Sequence, residues 1–296
     1  MSGGFAALRR QKRTPFLAGG EEYGPARVVM FGAPMDWTSS FRPGSRFGPA
    51  AIREASEGIE EYSVYRGRSL LDGDAAFFDA GDLVLPYGNV AESLRSIGEA
   101  VGAILADGKL PLLLGGEHLV TYAAVREVLA RHPDLCVVQF DAHADLRPDY
   151  LGERMSHASV MRLLHETLGD GRIFQIGIRS ADRDEMAYAA AHTILCRGAL
   201  ARAAAEAARL IAGRPVYVTL DIDVLDPAHA PGTGTPECGG PTSAEMIEVF
   251  EVLSGMAIAG FDLVEVAPGC DPSARTALLA AVLVREALLL MMRSPG

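Results

Sequence analysis

Leu135-Cys-Val-Val-Gln-Phe-Asp-Ala-His-Ala-Asp145 joins two kinds of sequence. Its first six residues are a short run rich in Val and closed by an aromatic side chain, the pattern of a buried strand. Its last five carry three ionisable side chains spaced two apart. Positions two apart on an extended chain share a face, so Asp141, His143 and Asp145 are expected to point the same way if the extended conformation persists. Two carboxylates that close repel each other and lose hydration. An arginine cluster or hydrogen bonds would offset that cost, as would a metal cation, which carboxylate and imidazole both ligate. The competing reading is a loop that begins with a helix cap or an Asx turn.

Outward from this stretch, strand signals recur at 27–31, 75–78, 110–114, 135–140, 172–176, 216–220 and 257–264. Helical patterns lie between them at 49–58, 91–106, 120–131, 157–168, 199–212, 243–253 and 273–292. Alternation of this kind predicts βαβ units and an α/β fold: a three-layer, doubly wound, mostly parallel sheet with helices on both faces. The strands are continuously apolar, as burial on both faces requires. A closed barrel of eight strand–helix units would read similarly. Either way the site is expected beyond the carboxyl ends of the strands. The chemically loaded residues fall there: Gly115-Gly116-Glu117-His118, Asp141 to Asp145, Asp221-Ile222-Asp223 and Glu265 each follow a strand.

His118, Asp141, His143, Asp145, Asp221 and Asp223 make two imidazoles and four carboxylates. One divalent ion does not need all six; two ions sharing carboxylates would use them. The donor set is rich in oxygen, holds some nitrogen and lacks sulfur, which leans toward manganese over zinc. A dinuclear site lowers the pKa of bound water, so hydrolysis is the natural reaction class.

Gly-Gly-Glu-His at 115–118, Asp-Ala-His-Ala-Asp at 141–145 and Asp-Ile-Asp-Val-Leu-Asp-Pro at 221–227, with Pro-Gly-Thr-Gly-Thr-Pro at 231–236, resemble the ureohydrolases: arginases, agmatinases and their relatives. The resemblance runs in order through nearly the whole chain. It implies two Mn²⁺ per subunit and hydrolysis of a guanidinium group to urea and an amine. It also implies that His118, Asp141, Asp145 and Asp221 hold one ion, that Asp141, His143, Asp221 and Asp223 hold the other, and that Asp141 and Asp221 bridge. His157 matches the family histidine that moves protons at the site mouth, a task suited to the side chain titrating nearest neutral pH. Glu265 matches the glutamate that pairs with the substrate guanidinium, which a carboxylate binds through two parallel hydrogen bonds. The expected catalytic residues are therefore His157, Glu265 and Asp145, with Glu265 and His157 also binding substrate.

The residues after the second motif, Leu146-Arg147-Pro148-Asp149-Tyr150, depart from the arginase pattern and look like the bacterial agmatinases. So do residues 31–49 and Pro236-Glu237. Agmatine, hydrolysed to putrescine and urea, is the expected substrate, with Asp36 and Glu237 as candidates to favour its distal ammonium. Arg147 is the objection: it could serve a carboxylate, as in 4-guanidinobutyrate, or pair with a neighbouring acid. A guanidino-acid hydrolase or an arginase with the same metals is the nearest alternative. A deacetylase-like amidohydrolase with one catalytic metal, and a non-catalytic binder, stand further off.

The chain has 296 residues, 49% of them hydrophobic, and no long linker or repeat divides it. Residues 1–24 are expected to form an N-terminal arm and 25–296 a single catalytic domain. Twenty-seven basic against 38 acidic residues give a net charge of −11, which disfavours nucleic acid and suits a small cationic partner. Arg9, Arg10, Lys12 and Arg13 precede no apolar h-region, so no secretory signal is read, and the apolar stretch 277–292 is interrupted by Arg285-Glu286. Four widely spaced cysteines suggest free thiols in a reducing compartment, and a cytoplasmic location is expected. The resemblance implies a homo-oligomer, a trimer or hexamer.

Overall fold

Alternate residues along each central strand feed two separate cores. The computed structural model describes residues 4–5, 8–20, 22–72 and 76–292. Its strands are β1 (Arg10–Gln11), β2 (Val28–Ala33), β3 (Tyr62–Ser63), β4 (Arg68–Ser69), β5 (Phe77–Leu83), β6 (Leu110–Gly115), β7 (Cys136–Phe140), β8 (Ile173–Ile176), β9 (Ile194–Cys196), β10 (Pro215–Asp221) and β11 (Ala257–Val264). Its helices are α1 (Gly48–Ser56), α2 (Val90–Ala106), α3 (Val120–Arg131), α4 (Val160–Leu168), α5 (Arg183–His192), α6 (Leu200–Ile211), α7 (Ser243–Leu253) and α8 (Arg275–Met291). Nine strands form one sheet in the order β1-β5-β2-β6-β11-β10-β7-β8-β9, while β3 and β4 make a separate hairpin. Every neighbouring pair in the large sheet is parallel except the edge pair β1–β5.

Val28, Met30, Leu112, Leu114, Val138 and Val218 join the core beneath α1, α6, α7 and α8. Val29, Phe31, Leu113, Val137 and Tyr217 join the core beneath α2, α3, α4 and α5. The period-2 pleat thus sorts one apolar run onto two helical layers. Each fully buried aliphatic side chain contributes roughly 1.5–3 kcal/mol, so central strands without surface-facing positions anchor the molecule. The open sheet rules out the barrel.

Every expected strand and helix has a counterpart, although Ala75, the expected start of one strand, lies outside the described residues. The helix expected at 157–168 begins with a 3₁₀ turn at His157–Ser159. β1, β3, β4, β9 and α5 were not expected. The four cysteines are free. Among the described residues no helix is long and apolar enough to cross a membrane; in α8 the Arg285 and Glu286 side chains are buried as a pair 2.9 Å apart. Residues 10–11 add a strand to the sheet edge, and Phe16 is buried.

Beneath that edge Arg53 is the largest fully buried side chain. Its guanidinium meets Asp79 at 2.8 Å and Asp82 at 2.7 Å, and it also donates to the Pro49 and Gly81 carbonyls. Removing one partner of a buried pair leaves uncompensated charge. Arg53→Met is expected to destabilise the protein by about 3–5 kcal/mol, read as a lowered urea midpoint. An unchanged midpoint would show that Arg13, which reaches Asp82 at 2.7 Å, suffices alone.

Candidate metal centre

Four adjacent strands, β6, β11, β10 and β7, end at one edge and deliver the expected site residues side by side. At the end of β6 the chain passes so close to the 33–35 segment that a Cβ on Gly116 would lie 2.0 Å from the Met35 carbonyl oxygen. Only glycine fits there. The Gly116 and Glu117 N–H groups donate to the Ala33 and Met35 carbonyls, and the next residue, His118, faces the centre of the edge.

His118 Nδ1 lies 3.1 Å from Asp141, 3.0 Å from Asp145 and 3.5 Å from Asp221. His143 Nδ1 lies 2.9 Å from Asp223 and 3.7 Å from Asp141. Donor atoms of His118, Asp141 and Asp145 form one cluster compact enough for a metal ion, and those of Asp141, His143 and Asp223 form a second, so Asp141 belongs to both. Asp221 lies alongside, within reach of His118. His118 Nδ1 is buried yet makes no hydrogen bond, although three carboxylates surround it. Its Nε2 faces Thr219 Oγ1 at 2.9 Å. A ring nitrogen without a hydrogen bond, aimed at carboxylate oxygens while the other nitrogen is held, suits a cation between them.

An extended chain does not produce this convergence, contrary to the expectation from two-residue spacing. β7 ends at Phe140, and Asp141 Oδ1 accepts from the His143 N–H at 2.6 Å, so the chain turns at the motif. Asp145 adopts φ 54°, in the left-handed region. Asp221 repeats the turn by accepting from the Asp223 N–H at 2.8 Å. Glu265, at φ 64°, is bent back so that Oε1 accepts from the His118 N–H at 2.8 Å. Non-glycine residues at positive φ cost free energy and cluster at functional sites.

The protein's own charges do not balance here. Burial raises Asp145 to about 7, helped by the Asp141 charge. Burial and neighbouring carboxylates raise Asp221 well above the usual range, and burial with Glu117 raises Glu265 to about 8. For Asp141 burial works in the same direction, but the two histidines outweigh it and hold its carboxyl below the ordinary range. Burial disfavours charge on His143, yet Asp141 and Asp223 raise it to about 12. Among the described residues no lysine or arginine pairs with any of the site aspartates. A site of this kind takes cations.

Above the cluster opens a cleft of about 300 Å³. His118, His143, Asp145, Asp221, Asp223, His157 and Glu265 line it, and Asp141 lies fully buried beside them. All eight expected site residues are therefore together. His157 sits on the rim, with Nδ1 3.4 Å from Thr38 Oγ1 and Nε2 3.2 Å from Ser40 Oγ. Burial lowers its pKa to about 4, so the ring is neutral near pH 7.

Sequence reasoning missed the supporting groups. Gln139 donates to Asp141 at 2.7 Å and accepts from Gln175 at 2.7 Å. A glutamine inside an apolar strand was the available signal. Asp36 does not reach the cleft: it is buried against Arg46 at 2.9 Å and the Gly44 N–H at 2.9 Å, closing its own loop. Glu237 is not among the cleft residues either; its carbonyl accepts from Arg179 at 2.7 Å. Arg147 does line the cleft, paired with Asp182 at 2.9 Å and Glu185 at 3.5 Å.

Comparison with known proteins gives the family of the chain. The arginase family model matches residues 26–290. Agmatinase of Bacillus subtilis (strain 168) is 48% identical over 277 residues, 93% of this chain and 95% of that protein. Guanidinobutyrase of Pseudomonas aeruginosa is 34% identical, covering 96% of this chain and 92% of its own length. The crystal structure of agmatine ureohydrolase of Thermoplasma volcanium superposes with a TM-score of 0.85 at 34% identity, covering 96% of this chain and 95% of that one. With the family model matching residues 26–290 and a relative 48% identical over 93% of the chain, this chain belongs to the arginase family.

Proposed function

We propose that the protein is a dinuclear-manganese agmatinase, which converts agmatine and water to putrescine and urea. The observation that carries the substrate class is the charge of the cleft. Outside the metal-ligand set its acids are Asp182, Glu185 and Glu265, and among the described residues Arg147 is its one arginine or lysine. Arg147 is already engaged by Asp182 and Glu185, which leaves no unpaired cation to receive a substrate carboxylate. A dication such as agmatine is favoured there over a guanidino acid.

In this reading His118, Asp141, Asp145 and Asp221 hold one ion, and Asp141, His143, Asp221 and Asp223 the other. When bound, the two ions supply Lewis-acid charge and a water acidified toward neutral pH. Glu265 accepts two N–H bonds from the guanidinium and fixes its carbon in position for attack, an orientation effect. Water adds to that carbon, Asp145 holds the released proton, and the C–N bond to the alkyl chain breaks. His157, neutral at rest, takes that proton over from Asp145 and passes it to the departing amine, so that urea and the amine leave with the proton count unchanged. The catalytic unit is residues 25–296, with 1–24 as an arm, in a homohexamer of the cytoplasm.

Manganese-loaded protein offered agmatine, arginine and 4-guanidinobutyrate is expected to release urea from agmatine. Urea from an acid alone would refute the reading of Arg147 while keeping the metal chemistry. Asp141→Ala and Asp221→Ala are expected to lose turnover and bound manganese together. His157→Ala is expected to lower kcat by roughly 100-fold at unchanged metal content; measuring metal and urea on the same samples separates the two classes. Asp182→Asn keeps a capping side chain on α5 but removes the charge that occupies Arg147. It is expected to shift the kcat/KM ratio of agmatine to 4-guanidinobutyrate by about tenfold toward the acid, equivalent to ~1.4 kcal/mol. An unmoved ratio would show that Arg147 does not face the distal end of the substrate.

A further inference from the structure

Glu117 lies inside the first site motif, beside His118, and has no part in the mechanism above. It is fully buried, and no arginine, lysine or histidine pairs with it among the described residues. A buried carboxylate without a cation is costly unless hydrogen bonds organise it. Its side-chain donors come from one short segment of a different loop. Thr38 Oγ1 donates to Glu117 Oε2 at 2.6 Å, and the Thr38 N–H donates to the same oxygen at 2.9 Å. The Trp37 N–H is also turned toward it.

Thr38 continues the chain outward. Its Oγ1 accepts from the His157 main-chain N–H at 3.0 Å and lies 3.4 Å from His157 Nδ1. A threonine hydroxyl has one proton to give. At 2.6 Å that proton belongs to the bond with Glu117, so toward His157 the same oxygen can only accept. Ser156 Oγ lies at the same 3.4 Å from Nδ1 and can turn to accept there as well; hydrogen on Nδ1 serves both oxygens, whereas hydrogen on Nε2 alone would leave Thr38 Oγ1 facing a lone pair. The lone pair is then on Nε2, which faces Ser40, a residue of the cleft wall. This is the logic by which an acceptor on one imidazole nitrogen fixes the chemistry of the other.

We propose that Glu117 and Thr38 are positioning residues for His157: Glu117 orients the Thr38 hydroxyl, and Thr38 holds the His157 backbone and sets its ring tautomer, leaving Nε2 free to take a proton in the cleft. The inference rests on the reading of His157 as the residue that moves protons. It goes beyond that reading by giving a role to a buried acid and a loop threonine far apart in sequence. The Thr38 backbone N–H also holds Glu117, so the hydroxyl can be removed without detaching the loop.

Two measurements test it. The first is urea release from agmatine by the manganese-loaded wild type, Thr38→Val, Thr38→Ser, His157→Ala and the Thr38→Val/His157→Ala double variant, with metal content and Tm for each. Thr38→Val is expected to lower kcat about tenfold or more, as misplacement of a reacting group does, at unchanged metal content. Thr38→Ser is expected to restore most of that loss. In the His157→Ala background Thr38→Val is expected to cost less than about twofold, because groups acting as one unit are not additive. Equal losses in both backgrounds would overturn the proposal, as would a Thr38→Val enzyme with wild-type kcat. Glu117→Gln in the same cycle guards against a Thr38 variant that fails to fold. The second measurement needs no substrate: long-range ¹H–¹⁵N spectra of the His157 ring in protein loaded with diamagnetic zinc. Hydrogen on Nδ1 in the wild type, and loss of that preference in Thr38→Val, supports the proposal. The same tautomer in both would overturn it even if urea release from agmatine had failed.

Discussion

Asp141 is fully buried and touches both site imidazoles, the His143 main-chain N–H and the Gln139 amide. Keeping its charge there shapes much of the molecule. The Gln139 carbonyl accepts from Gln175, whose amide also bonds the Ala144 carbonyl and whose own carbonyl accepts from Thr193. The chain of polar groups thus runs from the site through β7 and β8 to the start of β9. Buried polar chains stabilise only when every member is satisfied. Three neighbouring parallel strands are therefore tied in register by the orientation of one carboxylate, as well as by their backbone ladders.

The strained backbone at the site is held from outside. Asp145 at φ 54° offers its carbonyl to the Met161 and Arg162 N–H groups at the start of α4. Those donors lack intrahelical partners, so the strained residue doubles as part of the helix start. Glu265 at φ 64° gives its N–H to the Gly116 carbonyl and takes the His118 N–H on its side chain. Each left-handed residue costs on the order of 1–3 kcal/mol, and in both cases neighbouring elements offset it. The functional geometry is a property of packed strand ends, which makes the floor of the cleft rigid.

The parallel sheet and seven of the eight residues gathered at the cleft were legible from a local signal, an apolar run with acids or histidines at its end; His157 follows no strand, opens a 3₁₀ turn, and was read from the family resemblance and its own chemistry. What was not legible depends on distant partners. α5 carries a capping box between Asp182 and Glu185, but its alanine-rich, polar interior has weak apolar periodicity. β9 is three residues long and β1 two, too short to stand out from loops. Asp36 looked like a cleft acid because its neighbours belong to a familiar motif, whereas its partner is Arg46, ten residues on. The turn at Asp141 was misjudged for the opposite reason. Alternation was extrapolated past the last ladder residue, where the side chain's own hydrogen bond to the backbone takes over.

Floor and rim are built differently, and that difference separates chemistry from selectivity. The floor comes from the ends of β6, β7, β10 and β11, whose position is fixed by two fully packed cores. The rim comes from loops: Ser40 before α1, Arg147 to His157 before α4, and Ser180 to Glu185 at the start of α5. Loops change with little cost to stability, while strand ends do not. A family can then keep one floor and alter the charge of the rim. In this chain the rim cation is neutralised by two acids that serve other ends as well. Asp182 caps α5, and Glu185 accepts from the Leu146 N–H at 3.0 Å. Because those acids also hold the helix and the loop, Arg147 is neutralised by the same bonds that keep the rim folded. The charge of the cleft rim is thereby tied to the stability of α5.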